Sequence, residues 1–389
     1  MPQPRRFDVN IAQADLDDLR DRLHRTRWPA DPGNPDGRYG ARSAWVRDLV
    51  QHWADAFDWR AVEAQMNAVD QYVVELDGIP IHYQRVAGKG PNPMPLVLTH
   101  GWPWTFWDYR RILGPLTDPA AHGGDPADSF DVVVPSVPGF GFSVPLRTTG
   151  VDVNRITDLW LELMRDVLGY DRFGAAGGDF GAFVTGRLGH AHPQHVAGVY
   201  LTLAVVPGGT GLERVPIEAY ADDEQWMLER QKETPAIAST HVVVNRLDPQ
   251  TFAYAMADSP AGLGAWLWQR RHLWCDGDGI EVFGRDDLCT LSSIYWFNSS
   301  LASSIRVYAE EFSGVPQLRH DRERVIDVPT GFGIFPKDLA FLPRSEAARR
   351  TNLQRWTVFD SGGHFAPVEK PDEVVHELRE FFRPLRDRV

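Results

Sequence analysis

Over residues 15–28, and again over 43–66, apolar positions recur at helical spacing among charged ones, with a Pro- and Gly-rich stretch at 29–40 between them. That pattern predicts surface helices joined by an irregular wrap rather than a core sheet. After Tyr72 the spacing shortens to VVEL, IPIHY and the continuous apolar PLVLTH ending at His100, which read as strands. The later runs DVVVP, RFGAAG, GVYLTLAVV, VIDVPTGFGIF and RWTVFD are short and rich in β-branched or aromatic residues. Each is separated from the next by a helical pattern or a long insertion. Alternation of this kind predicts an α/β fold whose mostly parallel sheet is covered by helices on both faces. Between about 207 and 315 the strand signal fades and helical segments rich in Trp, Tyr and acidic residues take over, which predicts a helical cap inserted into the sheet domain. The expected division is an N-terminal helical segment over 1–70, a first part of the core over 71–206, the cap over 207–315 and a second part of the core over 316–389. No internal repeat, heptad run or low-complexity tract interrupts it.

Composition supports one large core with an added lobe: of 389 residues, 43% are hydrophobic and 11% aromatic. The formal net charge of −13 would repel a phosphate backbone or an anionic bilayer, so neither nucleic acid nor a membrane is an expected partner. Cys275 and Cys289 are the two cysteines; they lack zinc-site spacing and read as reduced core thiols. The polar start MPQPRRFDVN shows no signal peptide or anchor helix, so a cytoplasmic protein is expected. Fourteen tryptophans are many, and they cluster at Trp102, Trp104 and Trp107 and at Trp266, Trp268 and Trp274. Packing and the lining of an apolar pocket would both use them. Self-association as a homodimer is left open.

Candidate chemistry concentrates at Gly177-Gly178-Asp179-Phe180-Gly181, between a strand pattern and a helical one. Small-x-nucleophile-x-small is the form of the strained elbow in α/β hydrolases, where a bulkier neighbour would clash with the tight turn. The central residue is Asp, already anionic at neutral pH, and it suits displacement at saturated carbon rather than acyl transfer. In isolation GGDFG could be a glycine-rich turn with Asp as a helix cap; its place between strand and helix favours the elbow. Downstream, His364 lies in the Gly-rich loop SGGHF after the last strand, the place for a general base, and Asp338 in IFPKD follows the penultimate strand as the acid that would orient it. Asp321 and Glu346 are competing carboxylates. After PLVLTH, the His100-Gly101-Trp102-Pro103 turn can aim the Trp102 N–H at the site, with the Phe180 N–H as second donor of an oxyanion hole. GGTG at 208–211 lacks the ending of a phosphate loop, and HGGDPAD near His122 reads as a surface loop.

Taken together, the chain resembles the epoxide hydrolase family of microsomal type, including its soluble bacterial and fungal members. FDVNIAQADLDDLRDRLHRTRWP and FDWR resemble the N-terminal segment that wraps the cap, HGWP and SVPGFGFS resemble core loops, and GGDFG, FPKD and GGHFAPVEKP resemble the catalytic positions. The resemblance implies an α/β-hydrolase fold and a two-step reaction. Asp179 opens an epoxide to form an ester, and His364, held by Asp338, activates water to release a vicinal diol, with no metal or organic cofactor. It also implies two cap tyrosines as proton donors. One matches Tyr308, whose phenol stays protonated at neutral pH, although a packing role would also suit an aromatic there. The other position is occupied by His241, a departure from the pattern. An imidazole there could bind substrate and donate a proton while titrating near neutrality, or it could be a surface residue of the cap. The Trp102 and Phe180 side chains would line the same pocket, and an apolar, bulky or aromatic epoxide is the expected substrate. Two alternatives stay open: a haloalkane or haloacid dehalogenase using the same Asp, and a non-catalytic small-molecule receptor.

Overall fold

The computed structural model describes residues 2–207, 215–312, 322 and 324–388. The GGTG segment at 208–211, Asp321, and the expected end of the cap at 315 lie outside the described residues.

The β-branched and aromatic runs become strands, those at the centre of the sheet buried on both faces and those toward its edges partly exposed. Strand β1 (Arg5–Arg6) is followed by β2 (Gln71–Leu76), β3 (Ile79–Val86), β4 (Met94–Thr99), β5 (Phe130–Pro135), β6 (Phe173–Gly177), β7 (Val196–Leu201), β8 (Ile326–Ile334) and β9 (Thr351–Val358). They form one sheet in the order β1-β2-β3-β5-β4-β6-β7-β8-β9. The first three strands and β5 pair antiparallel, and from β5 onward every pairing is parallel. Every residue of β4, β6 and β7 is buried, as expected of central strands covered by helices. The two-residue β1 is too short and too charged to show in a hydrophobic pattern; it exists because Arg5 and Arg6 pair with Val73 and Tyr72.

Helices α1 (Gln13–His24), α2 (Ser43–Asp55) and α3 (Trp59–Asn67) make up the N-terminal segment. The continuous helical pattern over 43–66 splits in two because Asp58 accepts the Ala61 N–H and caps a new start. These helices are not merely superficial: Leu49 and Met66 are fully buried. Three core helices follow or flank the strands in the first part of the core: α4 (Arg110–Thr117), α5 (Val153–Glu162), which continues into a π turn at Leu163–Val167, and α6 (Phe180–Ala191). The cap comprises α7 (Gln225–Leu247), α8 (Pro249–Asp258), α9 (Pro260–Trp274), α10 (Gly279–Phe283), α11 (Arg285–Phe297) and α12 (Leu301–Phe312), all between β7 and β8. The chain then closes with α13 (Arg344–Arg350), α14 (Ala366–Glu369) and α15 (Pro371–Phe382). Helix α5 packs on α6, and α4 on α15, giving the sheet its helical layers.

The N-terminal helices close over the cap. The Trp53 indole N–H donates to Ser293 Oγ at 2.9 Å, and its ring meets Trp268 edge-on at 5.8 Å. Trp59 meets Phe297 in the same way at 5.0 Å. Cys275 and Cys289 are buried free thiols. Among the described residues, no helix is long and apolar enough to cross a membrane.

Candidate active site

The parallel strands β4 and β6 end side by side, and their turns face each other. Asp179 occupies the turn between β6 and α6 with φ 53° and ψ −129°, a conformation that costs a non-glycine residue on the order of 1–3 kcal/mol. The surrounding glycines let it exist. A Cβ at Gly181 would run into the Thr99 carbonyl oxygen, one at Gly177 would lie 2.6 Å from the Gly181 backbone, and one at Gly101 would strike the Asp179 carboxylate.

That carboxylate is held at both oxygens. Oδ1 accepts the Trp102 backbone N–H at 2.8 Å, and Oδ2 lies 3.1 Å from His364 Nε2. The other ring nitrogen, Nδ1, is 2.6 Å from Asp338 Oδ1, which also accepts the Leu339 N–H at 2.7 Å. The structure thus brings Asp179, His364, Asp338 and Trp102 into one chain of hydrogen bonds. Glu346 pairs with Arg349 on the surface and takes no part.

Ionisation follows from these contacts. Burial opposes charge on Asp179, yet the His364 hydrogen bond and charge, together with the Trp102 and Phe180 N–H groups, hold its carboxyl below the ordinary carboxylate range. For His364, burial is outweighed by Asp338 and Asp179, and the imidazole is raised to about 9. Burial raises Asp338 despite its histidine partner.

An aromatic enclosure stands over the carboxylate. Tyr308 is buried; its ring meets Phe180 edge-on at 4.8 Å and Trp102 at 6.0 Å, and burial raises its phenol well above the usual value, so it stays protonated. His241 is not on the cap surface: it is 4% exposed and stacked on Trp102 at 5.4 Å, with Tyr308 edge-on at 5.4 Å. Nor does it titrate near neutrality, because burial lowers it to about 3. A neutral imidazole therefore occupies that position at physiological pH.

The two tryptophan clusters divide by role. Trp266 and Trp274 stand 6.5 and 6.2 Å from the Trp102 ring, and Trp104 meets His364 edge-on at 5.6 Å. Trp268 packs on the N-terminal helices, and Trp107 carries the Arg110 guanidinium over its ring.

Comparison with known proteins gives the site its family. The description "Epoxide hydrolase N terminus" matches residues 4–109, and "alpha/beta hydrolase fold" matches residues 94–248. A protein of Stigmatella aurantiaca named "Putative epoxide hydrolase" is 37% identical over 387 residues, covering 98% of this chain and 85% of that one. The chain belongs to the epoxide hydrolase family. Within that family it is also similar to epoxide hydrolase 1 of Oryctolagus cuniculus, 29% identical over 97% of this chain and 88% of that one. The structure of Aspergillus niger epoxide hydrolase superposes with a TM-score of 0.86 at 28% identity, over 99% of this chain and 97% of the other.

Two residues of this epoxide hydrolase family member escaped the sequence analysis although they shape the His364 loop. Glu369 accepts the N–H groups of Asp276, Gly363 and Phe365 at 2.8–2.9 Å, and Asp276 accepts the Gly362 N–H at 2.8 Å. Glu369 follows His364 by five positions in GGHFAPVEKP, but nothing in that spacing says that its carboxylate turns back to gather backbone donors. Asp276 comes from the cap, so its partnership exists only in the folded chain.

Proposed function

We propose that this chain hydrolyses an epoxide to a vicinal diol through an ester on Asp179. The observation that carries the reading is the Asp179 carboxylate itself, fixed at a strained elbow with one oxygen on the Trp102 N–H and the other facing His364.

In the first step Asp179 Oδ2 attacks an oxirane carbon, the C–O bond of the ring breaks, and Tyr308 gives its proton to the leaving oxygen. His241, neutral and beside Tyr308, can add a hydrogen bond to that oxygen. Forming the ester removes the charge on Asp179, and with it two of the influences that raise His364. The imidazolium becomes more acidic, and the net movement of its proton to the Tyr308 phenolate restores the phenol and leaves His364 a base.

In the second step His364 Nε2 takes a proton from water, and the hydroxide adds to the ester carbonyl carbon. Charge develops on Oδ1, which the Trp102 N–H already meets, with the Phe180 N–H also on the same carboxyl group; such donors contribute roughly 3–4 kcal/mol each in comparable sites. Collapse releases the diol, leaving Asp179 ionised and His364 protonated, the starting state. Asp338 keeps the ring oriented and stabilises its charge.

Because the attacking carboxylate oxygen leaves with the diol, one turnover in 18O-water should put the label into Asp179 and not into the product. An adduct should accumulate on Asp179 when His364→Gln is exposed briefly to styrene oxide. A chain left unlabelled and unmodified by every epoxide tried would sink the reading. Displacement of halide would use the same carboxylate, and the Trp102 indole N–H, buried without a hydrogen-bond partner among the described residues, is a donor it could use. Chloride release assayed beside diol formation separates the two reactions.

A further inference from the structure

Adjacent residues on α9 present two buried guanidinium groups in opposite circumstances. Arg271 is fully paired: its nitrogens donate to both oxygens of Asp108, at 2.7 and 2.9 Å, and to the Pro103 carbonyl at 2.8 Å. Arg270 is equally buried, at 3% exposed, and forms no ion pair among the described residues. Its hydrogen bond goes to the neutral Gln269 side chain next to it, at 3.1 Å, and its Nε has no partner among the described residues. The guanidinium lies over the Trp266 ring, 4.2 Å from the centroid, a contact that offsets only part of the loss of hydration.

This lone cation borders the proposed active site. Trp266 beneath it stands 6.5 Å from Trp102, and the Arg270 charge is felt by both Tyr308 and His241. Burial lowers Arg270 to about 10, which still leaves it charged at neutral pH. Other polar groups nearby also await partners. Among the described residues the Trp102 and Trp266 indole N–H groups have none, and neither has the amide of Asn245, fully buried one helical turn beyond His241 on the same face of α7. Buried polar groups are ordinarily paired, and a buried charge more strictly so. Unpaired donors on α7, α9 and the Trp102 turn, together with a buried cation that has no ion pair among the described residues, mark the place of a ligand group that brings acceptors and a negative charge.

We infer that the epoxide taken by this site carries a carboxylate remote from its oxirane, received by Arg270 with the Asn245 amide as a second donor. The inference rests on the proposed epoxide hydrolysis and refines it. The substrate is amphipathic: its oxirane meets Asp179 and Tyr308 among the aromatic rings, and its acid end reaches the α7 and α9 faces of the cap. The planar guanidinium fork suits the two oxygens of a carboxylate, which a neutral ester or amide cannot match in charge.

The test is a homologous series of terminal epoxy-alkanoic acids of increasing chain length, each assayed beside its methyl ester. In the wild-type protein kcat/KM should favour the acid by about 10- to 100-fold at the length that spans the site. Arg270→Met should collapse that acid-to-ester ratio, and Arg270→Lys should restore part of it. Esters handled as well as acids at every length would overturn the inference, as would a preference that survives Arg270→Met. Should the Met variant fail to fold, the wild-type ratio and the Lys variant decide. Turnover of esters or styrene oxide without an acid preference removes the carboxylate alone; no turnover and no Asp179 adduct with any epoxide removes the hydrolase reading with it.

Discussion

The indole of Trp102 lies flat against the imidazole of His241, ring centroids 5.4 Å apart and planes within 10° of parallel. The backbone of the same tryptophan donates to Asp179, so a cap residue and the carboxylate are set by one side chain and its own peptide. A charged imidazole in that stack would be desolvated, and burial outweighs the attraction of the Asp179 carboxylate, which is why His241 stays neutral. Replacement of His241 by Phe should lower the ring-opening rate about tenfold, and replacement by Tyr should keep it within a few-fold of wild type. Neither change should remove an ionisation near pH 6.5 from the kcat/KM profile, since His241 contributes none there.

Tyr308→Phe should slow ring opening by about 100-fold or more, because the leaving oxygen loses its proton donor. Hydrolysis of an ester already formed should be little affected. Stopped-flow tryptophan fluorescence, which resolves the two steps, is the measurement; equal slowing of both would contradict the assignment.

His364 supplies a pH dependence with a definite sign. Its folded value, about 9, lies above the ordinary 6.5, so the folded state binds the proton more tightly than the unfolded one. The resulting stability is complete below about pH 6.5 and disappears as pH rises through about 9. Urea midpoints measured from pH 6 to 10 should fall across that window in the wild type. In Asp179→Asn, where one of the raising charges is gone, the fall should begin at lower pH, and turnover should drop by about 10^4-fold or more.

Cap and core are joined at Arg271 and Asp108, a pair buried on both sides. Removing one partner strands the other, so Arg271→Met should cost about 3–5 kcal/mol in urea unfolding. Since Arg271 also holds the Pro103 carbonyl, next to the Trp102 donor, kcat should fall as well. A loss of stability below 1 kcal/mol would show that the pair is not buried in solution.

Gly101→Ala would place a methyl group against the Asp179 carboxylate. The carboxylate must move or the turn must open, and a displacement of about 1 Å costs on the order of 100-fold in rate. The expected outcome is a folded protein, by circular dichroism, with kcat reduced by about that factor.

Much of this was readable along the chain because it depends on near neighbours. The eight longer strands follow from short runs rich in β-branched or aromatic residues, and the elbow follows from glycines that relieve the tight turn around a side chain held at φ 53°. What the pattern misjudged were questions of partnership. The break between α2 and α3 depends on a single cap at Asp58, and β1 exists only through its pairing with β2.

By itself, then, the order of residues determined the α/β architecture, the family, and which carboxylate and imidazole to consider, since periodicity and tight-turn sterics are properties of short segments. Only the tertiary structure decided that His241 is buried and neutral, that Glu369 and Asp276 brace the His364 loop, and that Arg271 has a counter-ion while Arg270 has none among the described residues. Those outcomes depend on desolvation and on the distance between charges far apart in the chain, quantities that come into existence when the cap closes on the core.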